Sequence, residues 1–220
     1  MNGPNNPIRW TDYTWNPVKG LCPVGCDYCY ARRIYKRFHY DPTIRLDEKE
    51  LMALLKLRKP ARIFVGSTIE LFGPWCKYGW LEMILSYVRR CPQHTFQFLT
   101  KFPAQMAQFD FPANCWCGTT VSYDGVYRNA YALQAVVVPV RFISFEPLHS
   151  AILFDESDLN DIDWVIIGAE TGNRKGKIIP EEEWIFDIVD QADKWNIPVF
   201  LKDNIEPYYQ GELRQEFPQK

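Results

Sequence analysis

The sequence has no hydrophobic run that could cross a bilayer, since a membrane-spanning helix needs about 20 consecutive apolar residues. The apolar stretch at residues 135–140 is short and contains Pro139. The N-terminus also lacks the basic and apolar segments of a secretory leader. We therefore expect no membrane insertion and no secretion.

The sequence also has no excess of positive charge. Its 25 Lys and Arg residues against 27 Asp and Glu give a formal net charge of −2, and the pI is about 6.0. No global positive field draws nucleic acid to the chain, so any such contact must be local.

Seven cysteines, an odd number, argue against a secreted disulfide scaffold. A reducing, cytoplasmic location fits this composition best.

No repeat, low-complexity tract or linker divides the 220 residues. A chain of this length, with 47% hydrophobic and 15% aromatic residues, can bury a large core. We therefore predict a single domain over residues 1–220.

What the sequence does contain is a series of short apolar runs between helical patterns. Near-continuous hydrophobicity is typical of parallel strands covered on both faces. Strands that alternate with helices imply right-handed crossovers, hence a βα barrel or a doubly wound sheet. The predicted strands are residues 10–15, 62–67, 95–100, 116–121, 140–145, 163–168 and 198–201.

Helix signals separate these runs. Asp47 can cap a helix whose third residue is Glu50. Another helix begins at Pro180 and carries an apolar stripe. Asp124 is expected to cap a helix that runs through Tyr131.

Polar and ionisable residues come directly after the apolar runs. They are Ser67, Glu70, Lys101, Ser122, Glu146, Glu170 and Lys202. Such groups at the carboxyl ends of strands are what a barrel active face requires, because the loops there converge on one cavity. We predict an α/β fold, a partial (β/α)6–7 barrel, with an open flavodoxin-like sheet as the alternative.

Three cysteines, Cys22, Cys26 and Cys29, stand at Cys-x3-Cys-x2-Cys spacing in a loop at residues 20–30, and the next cysteine is Cys76. Three thiolates leave one iron of a [4Fe–4S] cluster free for an outside ligand, whereas structural zinc sites use four protein ligands. The spacing therefore favours a reactive cluster. A zinc site completed by Cys76 or His39 is the alternative.

This spacing, with an aromatic residue just before the third cysteine, resembles the signature of the radical S-adenosylmethionine (radical SAM) enzymes. The run of Tyr28, Cys29 and Tyr30 looks most like the spore photoproduct lyase branch. Residues 10–17 and 92–101 also resemble a phage-associated family that carries this triplet and has no assigned activity. This second resemblance covers most of the chain.

The resemblance implies a [4Fe–4S] cluster whose free iron is chelated by the amino and carboxylate groups of SAM. One electron from the cluster then cleaves the sulfonium to give a 5'-deoxyadenosyl radical, which abstracts hydrogen from a substrate. The resemblance also implies an electron donor such as flavodoxin or ferredoxin. In such enzymes the cofactors carry out the bond cleavage and generate the radical, while the protein binds and orients them.

The resemblance also implies which residues contact SAM. Tyr28 is expected along the adenine, and Lys101 against the methionyl carboxylate. The family's Gly-Gly-Glu-like stretch corresponds to residues 66–70, where one glycine is kept. The contact to the methionyl amino group then passes to Ser67 or Thr68, although Ser67 could instead cap the next helix.

Three further residues are candidates for ligand contact. Ser122, at a strand end, is a candidate for the ribose hydroxyls. Glu146 and Glu170 end two successive strands, and burying a carboxylate is costly unless cations or donors compensate. The pair either contacts ligand or forms an internal ion-pair layer with the lysines at the same end. No residue is assigned a catalytic role.

Two features remain outside the predicted site. Cys115 and Cys117 alternate on a strand. A thiol there could donate hydrogen, as in the lyase branch, but buried free cysteine is most often a small hydrophobe.

After the cysteine triplet, basic residues alternate with aromatic residues; the basic residues are Arg32, Arg33, Lys36 and Arg37. Such a patch could meet phosphates and bases, or could be a solvated helix face.

We predict a radical SAM enzyme with an unidentified substrate. A nucleobase, nucleotide or nucleic acid is favoured only by the resemblances, because the net charge gives no support. One alternative is a binding or regulatory module in which a metal orders the N-terminal loop. Another is a repair enzyme similar to photoproduct lyase.

Overall fold

The computed structural model describes residues 1–3, 7–124, 128–154 and 159–219. In these ranges the strands are β1 Tyr13–Trp15, β2 Val18–Lys19, β3 Arg45–Leu46, β4 Arg62–Val65, β5 Thr95–Thr100, β6 Cys115–Thr120, β7 Val140–Phe145, β8 Trp164–Ile167 and β9 Val199–Leu201. The helices are α1 Tyr30–Phe38, α2 Glu48–Leu54, α3 Tyr78–Arg89, α4 Pro103–Met106, α5 Asn129–Leu133 and α6 Glu182–Lys194, followed by a 3-10 helix at Asp203–Tyr208.

Seven strands form one parallel sheet in the order β1-β4-β5-β6-β7-β8-β9. In this sheet β1 pairs with β4, and from β4 to β9 each strand pairs with the next one along the chain, as in a barrel. The short strands β2 and β3 form a separate antiparallel pair. All seven apolar runs singled out in the sequence coincide with strands of the large sheet, so the predicted α/β fold is confirmed.

The sheet is curled into a partial barrel. In a flat sheet β4 and β8 would lie four strand spacings apart, about 19 Å. Yet the Trp10 ring contacts both Phe64 of β4, at 4.8 Å, and Trp164 of β8, at 6.1 Å between ring centroids. Those two rings are therefore at most about 11 Å apart, which a curled sheet allows.

Alternate residues of each strand enter two different cores. Cys115 and Cys117 of β6 lie in the core between the sheet and the helices, whereas Trp116 joins the aromatic cluster inside the curl. Burial raises the pKa of both thiols. These cysteines therefore face away from the interior of the barrel.

The C-terminal segment closes the amino end of the barrel. Gln215 forms an antiparallel bridge with Phe200, and the Phe217 ring lies 5.5 Å from that of Trp164. A cavity of about 780 Å³ also lies at this end, lined in part by Arg214 and its two ion-pair partners, Asp193 and Glu216. The polar residues that follow the strands lie at the opposite end.

One helix prediction is confirmed. The Glu50 backbone N–H donates to the Asp47 carboxylate at 3.1 Å, which caps α2 as predicted. The cap predicted at Asp124 depends on residues 125–127, which lie outside the described residues. Among the described residues, the Asp124 carboxylate accepts from the Leu153 N–H at 3.0 Å, and α5 begins at Asn129.

In the described part of the chain, every helix is too short or too polar to span a membrane.

Candidate functional site

The three cysteines lie on the loop between β2 and α1. All three are free and half-buried. The Cys29 N–H donates to the Cys26 carbonyl at 3.2 Å, and Cys29 occupies the N-cap position of α1. The Arg32 guanidinium, one turn into that helix, donates to the Cys22 carbonyl at 2.8 Å. The helix that follows the triplet thus fixes both ends of the loop.

The Cys22 thiol has a raised pKa. Burial is the main cause, and the nearby charges of Glu70 and Cys29 add to it. The Cys22 and Cys29 thiols are therefore close enough to influence each other. Thiolate is the form that binds metal, so binding here must displace protons.

Cys76, the fourth cysteine along the chain, lies near the triplet. Its thiol donates to the Glu70 carbonyl at 3.6 Å, and burial, with the charges of Glu70 and Cys22, raises its pKa to about 12. Within the described ranges, no three His, Cys, Asp or Glu side chains are arranged to hold a single metal ion. A cubane, in contrast, takes each thiolate on a different iron.

Asn16, directly after β1, organises the residues that follow β4. Its side-chain oxygen accepts three hydrogen bonds of 3.2 Å, from the Ser67 hydroxyl, the Thr68 hydroxyl and the Thr68 N–H. Both hydroxyl protons are thus committed, and the hydroxyl lone pairs remain as acceptors. Ser67 does not cap a helix, so that alternative is wrong.

The Glu70 carboxylate joins the ends of β4 and β5. It accepts from the Thr100 hydroxyl at 2.7 Å, the Lys101 N–H at 2.8 Å and the Phe72 N–H at 3.1 Å. Burial nevertheless raises the pKa of Glu70, against the effect of these donors. Glu70 therefore fixes the backbone from which the Lys101 side chain projects.

Lys101, Tyr28 and Ser122 lie together. The Lys101 ammonium is 5.9 Å from the centre of the Tyr28 ring, and it forms no ion pair with an acidic residue of the described ranges. The Tyr28 hydroxyl faces Ser122, and burial raises its pKa. The buried Ser122 hydroxyl completes no hydrogen bond among the described residues.

Glu170 is the centre of an ion-pair network that reaches the cysteine loop. Arg174 donates to both of its carboxylate oxygens, at 2.8 and 2.7 Å. His149 Nε2 lies 3.2 Å from the same carboxylate, and Arg174 also pairs with Asp27 at 3.1 Å. Hydrogen bonding to Arg174 is the main reason that the pKa of Glu170 is lowered.

His149 links this network to Tyr28. The His149 backbone N–H donates to the Ser122 carbonyl at 2.7 Å. The His149 and Tyr28 rings are nearly perpendicular, with their centroids 5.3 Å apart. A chain of contacts therefore runs from buried Glu170 through His149 to the tyrosine between Cys26 and Cys29.

Glu146 forms a second, separate ion pair with Lys202. These residues follow β7 and β9, on either side of Gly168, which follows β8. A Cβ at Gly168 would lie 3.0 Å from side-chain carbons of both, so the missing side chain lets the pair meet across the middle strand. Burial raises the pKa of Tyr30 at the start of α1, and the negative charge of Glu146 adds a smaller contribution.

The predicted site residues thus lie at one end of the barrel, but in four places. Ser67 and Thr68 gather on Asn16; Tyr28, Lys101 and Ser122 lie together; and the two glutamates belong to different ion pairs. Lys101 is not a partner of either glutamate. The sequence did not predict four residues of this site, which are Asn16, Asp27, His149 and Arg174. A signal was present only for Asn16, which directly follows a strand.

Buried polar atoms without partners add to this picture. Inside the curl, the hydroxyls of Thr14, Ser122 and Ser144 and the side-chain oxygen of Gln97 form no hydrogen bond among the described residues. Buried polar groups are normally satisfied. Of these, Ser122 follows β6 at the end where the three free thiols lie, and this donor set fits a thiolate-bound cluster and a polar organic ligand.

Comparison with known proteins identifies a family. The profile of a family described as "Protein of unknown function (DUF5131)" matches residues 5–214. No curated protein gives a significant match. A solved structure of a spore photoproduct lyase mutant with dinucleoside spore photoproduct is similar, at 11% sequence identity and a TM-score of 0.47, over 89% of this chain and 73% of that one. The chain belongs to the DUF5131 family.

Proposed function

We propose that this member of the DUF5131 family is a radical SAM enzyme with a [4Fe–4S] cluster held by Cys22, Cys26 and Cys29. The observation that carries the proposal is three free, half-buried thiols on one short loop beside the carboxyl end of a parallel partial barrel. Three local thiolates suit a cluster that keeps one iron for an outside ligand. When bound, the cluster and SAM together supply a 5'-deoxyadenosyl radical that abstracts hydrogen from the substrate.

The residues after β4 suit the methionyl amino group. An ammonium has only donors, so it needs acceptors. Because Ser67 and Thr68 donate their hydroxyl protons to Asn16, their lone pairs remain as acceptors for an ammonium. We assign this contact to the two hydroxyls and give Asn16 a positioning role.

The group around Tyr28 suits the rest of SAM. The Lys101 ammonium forms no described ion pair, so it is available to neutralise the methionyl carboxylate. The Tyr28 ring offers a face or edge to the adenine, and the unsatisfied Ser122 hydroxyl can bond a ribose hydroxyl. The Tyr28 and His149 side chains also cover this part of the interior and help to exclude water.

The two ion pairs suit the walls of the substrate site. Glu146 and Glu170 are already compensated by Lys202 and Arg174, so they act first as a fixed polar layer. Their remaining lone pairs can accept from a polar substrate. We assign no residue a proton-transfer step, and we propose a small electron-transfer protein such as flavodoxin or ferredoxin as the reductant.

The test is anaerobic reconstitution of the full chain with iron and sulfide, followed by reduction in the presence of SAM. We expect a brown protein that releases 5'-deoxyadenosine and methionine. The variant Cys26→Ala should lose both the colour and the cleavage, while Cys76→Ala should keep both because it is not a cluster ligand.

Two outcomes would contradict this proposal. A colourless protein that retains zinc favours a metal-ordered binding module. Loss of metal from Cys76→Ala, to the same extent as from Cys26→Ala, indicates a closed four-thiolate site with no free position for SAM.

A further inference from the structure

Helix α1 presents apolar side chains to solvent. An amphipathic helix normally turns its apolar stripe toward the core. In α1 only Ala31 is buried, while Tyr30, Ile34 and Phe38, spaced four residues apart, are 42%, 39% and 54% exposed. Tyr40, just beyond the helix, is 54% exposed. These four side chains form an exposed stripe that the proposed cofactor site does not use.

The same helix carries a local positive charge. Residues 30–40 contain four basic side chains and no Asp or Glu, in a chain whose net charge is −2. Arg32 and Arg33 donate to the carbonyls of Cys22 and Thr171. Lys36 and Arg37 are exposed, and neither forms an ion pair with an acidic residue in the described part of the chain. The charge is therefore available to an anionic partner.

Aromatic rings and a guanidinium lie side by side in this stripe. The Phe38 and Tyr40 rings stack, with centroids 5.7 Å apart and an angle of 23° between their planes. The Arg37 guanidinium lies 5.4 Å from the centre of the Phe38 ring. Exposed ring faces next to cations are the combination that holds unpaired bases and their phosphates.

The stripe starts at the candidate site. The Tyr30 hydroxyl donates to the Ser67 carbonyl at 2.8 Å, so the first turn of α1 touches the residues assigned to SAM. The helix of nine residues then extends about 13 Å away from that end of the barrel. A linear ligand on the stripe would thus lead directly to the opening.

We infer that α1 binds a single strand of nucleic acid, with Arg37 at its phosphates and bases stacked on the exposed rings. This inference rests on the proposed function in one respect: the strand then delivers one nucleotide to the carboxyl end of the barrel as substrate. Unpaired bases are needed because a duplex keeps the faces of its bases stacked on one another.

The size of the surface favours a strand over a protein partner. Stable protein interfaces bury about 800 Å² on each partner. One face of a single helix, about 13 Å long and about 10 Å across, is much smaller than that. A few nucleotides need no more than this surface, since each stacked base contributes about 1–3 kcal/mol.

The experiment is fluorescence anisotropy with a labelled 20-nucleotide single-stranded DNA, its RNA equivalent and the matching duplex. It uses the anaerobically reconstituted full chain, with neither SAM nor reductant present. We expect the single strand to bind at least tenfold more tightly than the duplex. Since no cofactor cleavage is involved, a failure to bind is separate from a failure of the proposed function.

The variants test the location. The variant Arg37→Glu should weaken binding several-fold and reduce the slope of log K against log salt by about 0.7, the value for one phosphate contact on a single strand. Lys36→Glu, on the opposite face of the helix, should change both less. Phe38→Ala with Tyr40→Ala should weaken binding with little change of slope. The matched control is Arg58→Glu with Lys59→Glu, also exposed, which should bind within about twofold of the parent protein.

Several results would overturn the inference. They are absence of single-strand binding at low salt, equal or tighter binding of the duplex, and an equal loss in the control variant. A labelled flavodoxin serves as a competing partner in the same assay: if the α1 variants lose flavodoxin and keep the oligonucleotide, the surface binds an acidic protein instead. Circular dichroism and the visible spectrum of the cluster confirm that each variant is folded.

Discussion

The two ends of the barrel are built from the same strands but carry opposite kinds of side chain. The amino end holds the aromatic cluster of Trp10, Trp116, Trp164 and Phe200, closed by Phe217 from the C-terminal segment. The carboxyl end holds free thiols, ion pairs and hydroxyls without partners. Apolar burial, which stabilises the fold, is therefore greatest at the amino end, whereas the carboxyl end carries polar groups that are costly to bury.

The largest effect is expected from opening the amino end. Trp164 is fully buried and its ring contacts those of Trp10, Phe142 and Phe217. Trp164→Ala should therefore lower the free energy of unfolding by about 3–5 kcal/mol. Urea denaturation monitored by circular dichroism measures it. A loss of under about 1 kcal/mol would show that the aromatic cluster is not the stable part of the barrel.

A smaller loss is expected at the carboxyl end from Arg174→Ala. This change leaves buried Glu170 without its bidentate partner and frees Asp27 on the cysteine loop. We expect a measurable loss of unfolding free energy that is smaller than the loss in Trp164→Ala, because Arg174 is partly exposed. Hydrogen exchange of residues 22–29 should increase as well.

The matched control is Arg174→Lys, which keeps the charge and loses the bidentate geometry. Relative to Arg174→Ala, this variant should recover part of the lost free energy of unfolding. It should recover a smaller part of the hydrogen-exchange protection of the cysteine loop. Unchanged exchange in Arg174→Ala would show that the ion pair with Asp27 does not hold the loop.

The acid dependence of stability should separate Glu170 from the aromatic end. Because Arg174 lowers the pKa of Glu170 in the folded protein, its stabilising effect is present above the ordinary value of about 4.3 and is lost as the pH falls through the folded value. The difference in unfolding free energy between the parent protein and Glu170→Gln should thus be constant above about pH 5 and shrink below about pH 4.3. The Trp164→Ala difference should not change over this range. A Glu170→Gln difference that grows toward low pH would contradict the assigned sign.

The smallest effect on the fold is expected at Lys101. Its ammonium lies over the Tyr28 ring without a described ion pair, so Lys101→Ala should leave stability and the cluster spectrum nearly unchanged. SAM binding should weaken about tenfold, which corresponds to about 1.4 kcal/mol. Equilibrium dialysis with labelled SAM measures this, with Lys59→Ala as the exposed control. Parent-like binding by Lys101→Ala would show that the carboxylate contact is elsewhere.

The sheet was predictable because its strands are buried on both faces. In β8 all four residues are buried. A continuous apolar run of this kind predicts a buried strand from its own residues alone, whatever the positions of the neighbouring strands. The polar positions after the strands were predictable for the same reason, since they follow from where each apolar run stops. The helix cap at Asp47 depends only on residues within one turn, and it too was found.

The partners within the site were not predictable, because they depend on the paths of loops. Glu146 and Glu170 look equivalent in sequence, yet one pairs with Lys202 across Gly168 and the other with Arg174. His149 follows Glu146 closely in the chain but contacts Glu170 instead. Nothing in the sequence near these residues indicates which carboxylate each cation reaches.

The most direct test of the central claim is electron paramagnetic resonance of the reduced, anaerobically reconstituted protein, recorded with and without SAM. We expect the signal of a reduced [4Fe–4S] cluster, and this signal should change when SAM is added. The Cys26→Ala variant should show no such signal. A signal that SAM leaves unchanged, or no cubane signal in fully reconstituted protein, would contradict the claim.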